Sequence, residues 1–195
     1  SSKGSDTINF NNTGHNTYID NDGLSTFDSA TIKGLNGTDT ISIENISSFD
    51  IYDTLTINLP DYKFLHIDGY LDNQSVLDTV FRLGNGNEAS LRTYLTASGN
   101  SIVTGNTSVE SWENGAIIGT GGAVTITRSE YGAGANFITG SGNDVINISH
   151  GENTIRTNNG NDTINITGGT SNTIYSGKGN DVINISGGDY NVITS

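Results

Sequence analysis

The residues best suited to chemistry in this chain are three aspartates that occupy the same place in a repeated segment. The segments GSGNDVINI, NNGNDTINI and GKGNDVINI follow one another and carry Asp144, Asp162 and Asp181. Each aspartate closes a glycine-rich turn and precedes a short apolar run. Carboxylates and turn carbonyls are the oxygen ligands that hard cations prefer. A single Gly-Asn-Asp would indicate turn chemistry alone, whereas three copies in register favour a row of cation sites.

The spacing of the aspartates predicts a solenoid of short strands. Asp162 follows Asp144 by 18 residues and precedes Asp181 by 19. A second unit alternates with them and is marked by four asparagines: Asn136, Asn153, Asn172 and Asn191. Each coil would therefore consist of two strands and two turns, with backbone hydrogen bonds running between coils.

Strand alternation then predicts a thin isoleucine core with two walls. One wall aligns two rows of isoleucines, namely Ile146, Ile164 and Ile183, and Ile148, Ile166 and Ile185. The other aligns Ile138, Ile155, Ile174 and Ile193. Asn147, Asn165 and Asn184 would form an outward polar ladder. The fold class expected is all-β, a parallel β-solenoid with about 18–19 residues per coil.

Composition agrees with a glycine-punctuated β protein and excludes several functions. Hydrophobic residues are only 32% of the chain, Gly numbers 26, and the net charge is −13. So acidic a chain would repel nucleic acid and attract cations. Zero Cys excludes disulfides and thiolate metal sites, and the lack of a long apolar run argues against membrane insertion. Zero Met and a start within polar sequence suggest a segment of a longer protein.

Three segments are expected along the chain. Residues 1–45 repeat the pattern loosely, with Asp6 and Asp39 preceding strand-like runs, and residues 131–195 repeat it regularly. Residues 46–130 either form an inserted subdomain or continue as wider, divergent coils. Most of the larger aromatic residues lie in this middle segment, including Tyr62, Tyr70 and Trp112.

The repeated Gly-x-Gly-Asn-Asp followed by one strand resembles the RTX calcium-binding β-roll, whose repeat is Gly-Gly-x-Gly-x-Asp-x-U-x with U large and apolar. The match is close over residues 132–195 and partial over 4–43. The resemblance implies several Ca²⁺ ions held by the three aspartates and by turn residues, namely Gly140, Gly142, Asn143, Gly160, Asn161, Gly177, Gly179 and Asn180. It extends in weaker form to Asp6 and Asp39.

The chain departs from the RTX pattern in two places. Asn158 and Asn159 replace the first glycine and its neighbour, and the alternate turns carry asparagine where a symmetrical roll would have aspartate. Since asparagine is neutral, we expect one row of ions on one edge and an asparagine ladder on the other.

The function expected is that of a non-catalytic calcium-binding module of a secreted bacterial cell-surface protein, such as an S-layer subunit. His15, His66 and His150 are dispersed and form no zinc or Ser-His-Asp pattern. Expected partners are calcium and either other copies or neighbouring domains of one long chain. One alternative is an adhesin that binds a glycan at Tyr62, Tyr70 and Trp112. Another is the targeting or folding module of a secreted enzyme, such as a polysaccharide epimerase or protease.

Overall fold

A computed structural model of the chain describes residues 5–9, 17–19, 29–33, 35, 37, 39–43, 46–52, 54–59, 63–108, 115–128 and 134–195. For residues 5–9, 17–19, 29–30, 33, 63 and 106–108 it describes the backbone alone. The chain divides into two compact units, Ser1–Leu95 and Thr96–Ser195. Each of the four sheets takes its strands from one unit.

The first unit is a short parallel solenoid extended by antiparallel strands. Its strands in chain order are β1 (Ser5–Asn9), β2 (Thr17–Ile19), β3 (Ser29–Lys33), β4 (Thr40–Ile43), β5 (Ser48–Ile51), β6 (Leu55–Leu59), β7 (Lys63–Ile67), β8 (Val80–Leu83) and β9 (Glu88–Ser90). The two sheets have the orders β1-β3-β7-β6-β5 and β2-β4-β8-β9. Pairs among β1, β3 and β7 and among β2, β4 and β8 are parallel, whereas β5, β6 and β9 pair antiparallel.

Two short helices accompany these strands. A 3-10 helix spans Gln74–Asp78, and helix α1 spans Leu91–Ala97. Asn73 caps the 3-10 helix, because its side chain accepts a hydrogen bond from the backbone N–H of Ser75 at 3.1 Å. No helix in the part of the chain that the structure describes is long and apolar enough to cross a membrane.

The second unit is a parallel β-solenoid built on two sheets. One sheet contains β10 (Ser101–Val103), β12 (Ala116–Gly119), β14 (Asn136–Ile138), β16 (Thr154–Arg156), β18 (Thr173–Tyr175) and β20 (Val192–Thr194). The other contains β11 (Asn106–Ser108), β13 (Thr125–Arg128), β15 (Val145–Ile148), β17 (Thr163–Ile166) and β19 (Val182–Ile185). The chain alternates between the sheets, and every pair in them is parallel. The predicted all-β parallel solenoid is confirmed.

The middle segment contains strands of both parallel and antiparallel pairing. Strands β7 and β8 continue the parallel coils of the first unit, while β5, β6 and β9 are antiparallel additions to its sheets. Strands β12 and β13 belong to the same sheets as the regular coils after residue 131. The division between the compact units lies after Leu95, whereas the sequence suggested boundaries after residues 45 and 130.

The register confirms one wall of the isoleucine core and corrects the other. Ile146, Ile164 and Ile183 align, as do Ile148, Ile166 and Ile185. In the opposite wall, Phe137 and not Ile138 aligns with Ile155, Ile174 and Ile193.

The prediction for Ile138, and with it for Asn136, was wrong by one residue. Asn136 pairs with Thr154, so Ala135 holds the place that Asn153 holds in the next coil. Successive side chains of a strand face opposite sides, so this shift gives Phe137 the core position and places Ile138 beside Arg156. The Phe137 ring is fully buried there.

Close stacking of the turns depends on glycine. A Cβ built on Gly160 would lie 2.0 Å from the carbonyl oxygen of Gly142 in the preceding coil. Gly160 also has a φ of 145°, in the region that residues with side chains rarely adopt. Gly122, in contrast, has a φ of 59° but nothing within 4 Å of a built Cβ.

We therefore expect Gly160→Ala to destabilise the second unit more than Gly122→Ala does. The Gly122 variant carries backbone strain alone, which costs about 1–2 kcal/mol. The Gly160 variant adds a collision with backbone that cannot move without separating two coils. Unfolding in urea, monitored by hydrogen exchange of peptides from residues 139–195, measures the loss of stability in both variants. Equal losses would show that contact between turns does not limit the stacking.

Candidate cation site

The three predicted aspartates form one column inside the second unit. Each immediately precedes a strand, and the pairing of Val145 with Thr163 and of Thr163 with Val182 puts them in register. Asp144 is 0% and Asp162 is 1% exposed, while Asp181, in the last coil, is partly exposed. We call Asp144, Asp162 and Asp181 the aspartate row.

Each carboxylate in the aspartate row accepts a hydrogen bond from the coil before it. The backbone N–H of Val124 donates to Asp144 Oδ1 at 2.8 Å, and that of Asp144 donates to Asp162 Oδ1 at 2.8 Å. The N–H of Asp162 donates to Asp181 Oδ1 at 3.0 Å. The row is therefore part of the inter-coil hydrogen bonding, and its carboxylates point along the solenoid axis rather than into solvent.

The second oxygen of Asp162 has no comparable partner. Asp162 Oδ2 is buried and makes no hydrogen bond within the described residues. Burial raises the pKa of the Asp162 carboxyl, and the charges of Asp144 and Asp181 raise it further, although the N–H of Asp144 and the Thr157 side chain act in the opposite direction. A buried anion with one unsatisfied oxygen indicates a place for a proton or a cation.

A second row of buried polar side chains was missed by the sequence analysis. Thr139, Thr157 and Ser176 are 0%, 0% and 1% exposed, and each lies five residues before an aspartate of the row. Thr139 Oγ1 donates to the Thr157 carbonyl at 3.4 Å, and Thr157 Oγ1 donates to the Ser176 carbonyl at 3.0 Å. We call these three residues the hydroxyl row. The fixed offset from the aspartates is the sequence signal for this row, which lies one residue before each of the three repeated segments.

The glycines predicted as ligands lie directly against the carbonyl oxygens of the preceding turn. A Cβ on Gly179 would lie 1.5 Å from the Gly160 carbonyl oxygen, and a Cβ on Gly142 would lie 2.4 Å from that of Gly122. Gly177 stacks in the same way on Asn158, which takes the first-glycine place with a φ of 62°. Asparagine tolerates this left-handed conformation better than most residues. Gly140, at the same place one coil earlier, is buried.

The asparagines beside the aspartates face outward. Asn143, Asn161 and Asn180 are exposed. The N–H of Asn161 donates to Asn143 Oδ1 at 2.8 Å, and the N–H of Asn180 donates to Asn161 Oδ1 at 2.8 Å. The side-chain oxygens of Asn143 and Asn161 are thus used between coils, which leaves their backbone carbonyls as the candidate ligands at these two positions.

The two predicted aspartates of the first unit do not form a similar row. Asp39 is buried and precedes β4, but the next coil carries Thr79 at its place. Asp6 lies within β1, where its backbone pairs with Ala30. Among the residues described, register therefore brings no second carboxylate to either position.

The opposite edge of the second unit carries the predicted asparagine ladder. Asn153 donates to Asn172 Oδ1 at 2.8 Å, and Asn172 donates to Asn191 Oδ1 at 2.9 Å. At the head of the ladder, Arg128 Nη1 donates to Asn153 Oδ1 at 3.1 Å. Burial lowers the pKa of Arg128. This edge therefore combines neutral amides with a buried positive charge, which does not favour a cation.

The outward ladder predicted on the adjacent sheet is also present. Asn165 donates to Asn147 Oδ1 at 2.8 Å, and Asn184 donates to Asn165 Oδ1 at 2.8 Å. Asn147 in turn donates to Thr127 Oγ1 at 3.1 Å. Side-chain amides therefore link successive coils along the outside of this sheet.

One of the three aromatic residues predicted to bind a glycan is not accessible to a ligand. Tyr70 is fully buried, and its hydroxyl donates to the Tyr52 carbonyl. A ring in that position has no face on which a sugar could stack. Tyr62 and Trp112 lie outside the described residues.

The charged ligands of the aspartate row come one from each coil. No group of three or more His, Cys, Asp or Glu side chains placed to hold a metal lies within the residues that the structure covers. An ion in the row would therefore depend on carbonyl and hydroxyl oxygens for most of its ligands.

Comparisons of the chain with protein-family models, with curated proteins and with solved structures found no match. Its class is thus defined by its own fold and site. It is a parallel β-solenoid of β-roll-like form with an internal aspartate row.

The raised pKa of Asp162 predicts how stability changes with pH in the presence of a chelator. The folded protein binds a proton at this carboxyl more readily than the unfolded chain, whose pKa is near the ordinary 3.8. Stability should therefore rise as pH falls from neutrality through the raised pKa, and this group should add nothing further below about pH 3.8.

Asp162→Asn keeps an acceptor for the Asp144 N–H but removes the charge. We expect it to raise the free energy of unfolding at pH 7 by about 1 kcal/mol and to flatten the pH dependence. Asp189→Asn, which changes an exposed carboxylate of the same unit, is the matched control. A loss of stability on Asp162→Asn in chelator would contradict the assignment of a buried, unfavourable charge.

Proposed function

We propose that this chain is a calcium-binding structural module of a secreted bacterial cell-surface protein, acting as a subunit of a surface layer. The aspartate row carries the proposal: carboxylates in register inside the solenoid, two of them wholly buried, with Asp162 Oδ2 lacking a protein partner. Calcium would complete the fold outside the cell.

The electrostatics of the row call for a positive charge. Coils in a parallel sheet are about 4.8 Å apart, and two unit charges at that distance repel by about 3 kcal/mol at an effective dielectric constant near 20. The thin core of the solenoid has little burial energy to offset the two neighbouring pairs in the row. A divalent ion between carboxylates turns this repulsion into attraction.

The ligand chemistry favours calcium over other divalent ions. Carboxylate, carbonyl and hydroxyl oxygens line the row, and the chain contains no cysteine. Calcium accepts six to eight such oxygens in flexible geometry, whereas magnesium demands a near-ideal octahedron. One carboxylate per coil is a weak charge, typical of extracellular modules with Kd of about 10⁻⁴ to 10⁻³ M. Such sites would fill only where calcium is plentiful, which supports a secreted module.

A structural role is supported by the regular backbone and by the surface ladder of Asn147, Asn165 and Asn184, which joins coils into a stiff rod. The burial of Tyr70 weighs against the adhesin alternative, since it removes one of three rings proposed to hold a glycan. His66 and His150 each share a hydrogen bond with a nearby hydroxyl, those of Thr56 and Ser149. We propose no catalytic role for them.

Calcium titration of the wild type and of Asp162→Asn tests the proposal. At a tenfold excess over Kd, each ion should add about 1.4 kcal/mol to the folded wild type. Asp162→Asn should bind fewer ions and gain less, so that the more stable of the two proteins in chelator becomes the less stable one in calcium. Calorimetric titration and thermal unfolding by circular dichroism measure both quantities.

Asp189→Asn should respond to calcium like the wild type, and magnesium at the same concentration should stabilise less. A wild type that binds no calcium in the millimolar range, or an Asp162→Asn variant with the full stoichiometry and gain, would refute the proposal.

A further inference from the structure

The Thr157 hydroxyl lies where it can serve the aspartate row. Its side chain is fully buried, and its oxygen is close enough to the Asp162 carboxylate to influence the pKa of that group. It also lies 3.0 Å from the Ser176 carbonyl oxygen, to which it can donate a hydrogen bond. A hydroxyl has one proton and two lone pairs, so Thr157 can direct its proton to the Asp162 carboxylate, where it lowers the pKa, or to the Ser176 carbonyl, but not to both at once.

When this proton is directed at the Ser176 carbonyl, the hydroxyl oxygen and the Asp162 carboxylate share no proton, and two such oxygens repel each other unless a positive charge lies between them. Asp162 Oδ2 is buried without a partner, and so is Ser176 Oγ, the next member of the hydroxyl row, among the residues described. Buried oxygens of this kind cost free energy when they are left unsatisfied. A cation shared by a carboxylate and a hydroxyl would satisfy both.

The chain itself varies the hydroxyl and the carboxylate together. In the coil before Asp144, Val124 takes the aspartate position, since Thr125 pairs with Val145. In that same coil, Gly119 takes the position of Thr139, because Ile118 pairs with Ile138. The coil that lacks the carboxylate therefore has glycine at the hydroxyl position, and its buried threonine, Thr120, lies one residue further along.

One other turn position varies more freely between the three coils that keep both groups. The residue two places after the hydroxyl is Ser141, Asn159 or Lys178. The hydroxyl position holds only threonine or serine. Retention of a hydroxyl amid such variation indicates a shared chemical requirement.

We propose that the hydroxyl row supplies ligands to the ions of the aspartate row. Thr157 Oγ1 and Asp162 Oδ2 bind one ion, and Thr139 with Asp144 and Ser176 with Asp181 form the equivalent pairs. The inference rests on the proposed calcium function and names protein ligands for it that the Gly-x-Gly-Asn-Asp motif does not contain.

Calcium titration of Thr157→Val and Thr157→Ser tests whether Thr157 and Asp162 bind the same ion. Valine keeps the shape of threonine without the hydroxyl, so we expect about a tenfold or greater weakening of one site, the size of loss that follows removal of a partner near a metal. Serine, which Ser176 shows to be accepted in this row, should bind close to the wild-type value. Thr173→Val, at a place where the next coil carries Val192, is the matched control and should not change binding.

Ser176→Ala provides a second test that does not depend on Thr157. Because Ser176 Oγ has no partner in the described structure, its removal breaks no protein hydrogen bond and should leave the chelator-treated protein as stable as the wild type. Calcium affinity at the site of Asp181 should nevertheless fall by about tenfold.

The outcomes separate this inference from the proposed function. A wild type without calcium binding overturns the proposed function. A wild type that binds calcium while Thr157→Val and Ser176→Ala bind it equally well overturns only the hydroxyl ligands. A serine variant as impaired as the valine variant would show that binding depends on the packing of this side chain and not on its hydroxyl, and would also overturn them.

Discussion

The hydrogen bond from a backbone N–H to a carboxylate of the next coil is the interaction on which the second unit depends. It joins Asp144 to Asp162 and Asp162 to Asp181, and it draws the carboxylates inside the coil. On the opposite edge, asparagine makes the same bond, since the N–H of Asn153 donates to Asn172 Oδ1 at 3.0 Å. The two edges differ mainly in the second atom of the side chain. An amide nitrogen finds an acceptor within the protein, whereas the second carboxylate oxygen needs a proton or a cation.

Much of this arrangement could be predicted from the sequence, because one period governs both the polar and the apolar residues. Aspartates and isoleucines repeat together every 18 or 19 residues, so the turns and the core wall of β15, β17 and β19 follow from one alignment. The alignment failed at Asn136 and Ile138, where the period starts to drift. A shift of one residue exchanges the two faces of a strand, so Phe137 enters the core.

Other features could not be predicted because their sequence signals are shared by different structures. The alternation of Leu55–Leu59 suits a parallel strand and an antiparallel strand equally well, and only its pairing with β7 decides between them. Threonine occurs both inside the second unit and on its strands. Thr157 and Thr173 are therefore indistinguishable by type, although one is fully buried beside a carboxylate and the other half-buried on a strand.

Each coil contributes one carboxylate to the aspartate row, so a site between two coils would couple ion binding to folding. An ion held between neighbouring coils requires that both coils be formed, so binding and coil formation are coupled at each step along the rod. Stability in such a solenoid is a sum of terms for single coils and for their interfaces, and calcium would contribute to the interfaces. If ions filled the row one coil at a time, calcium would set how far the folded solenoid extends as well as whether it forms.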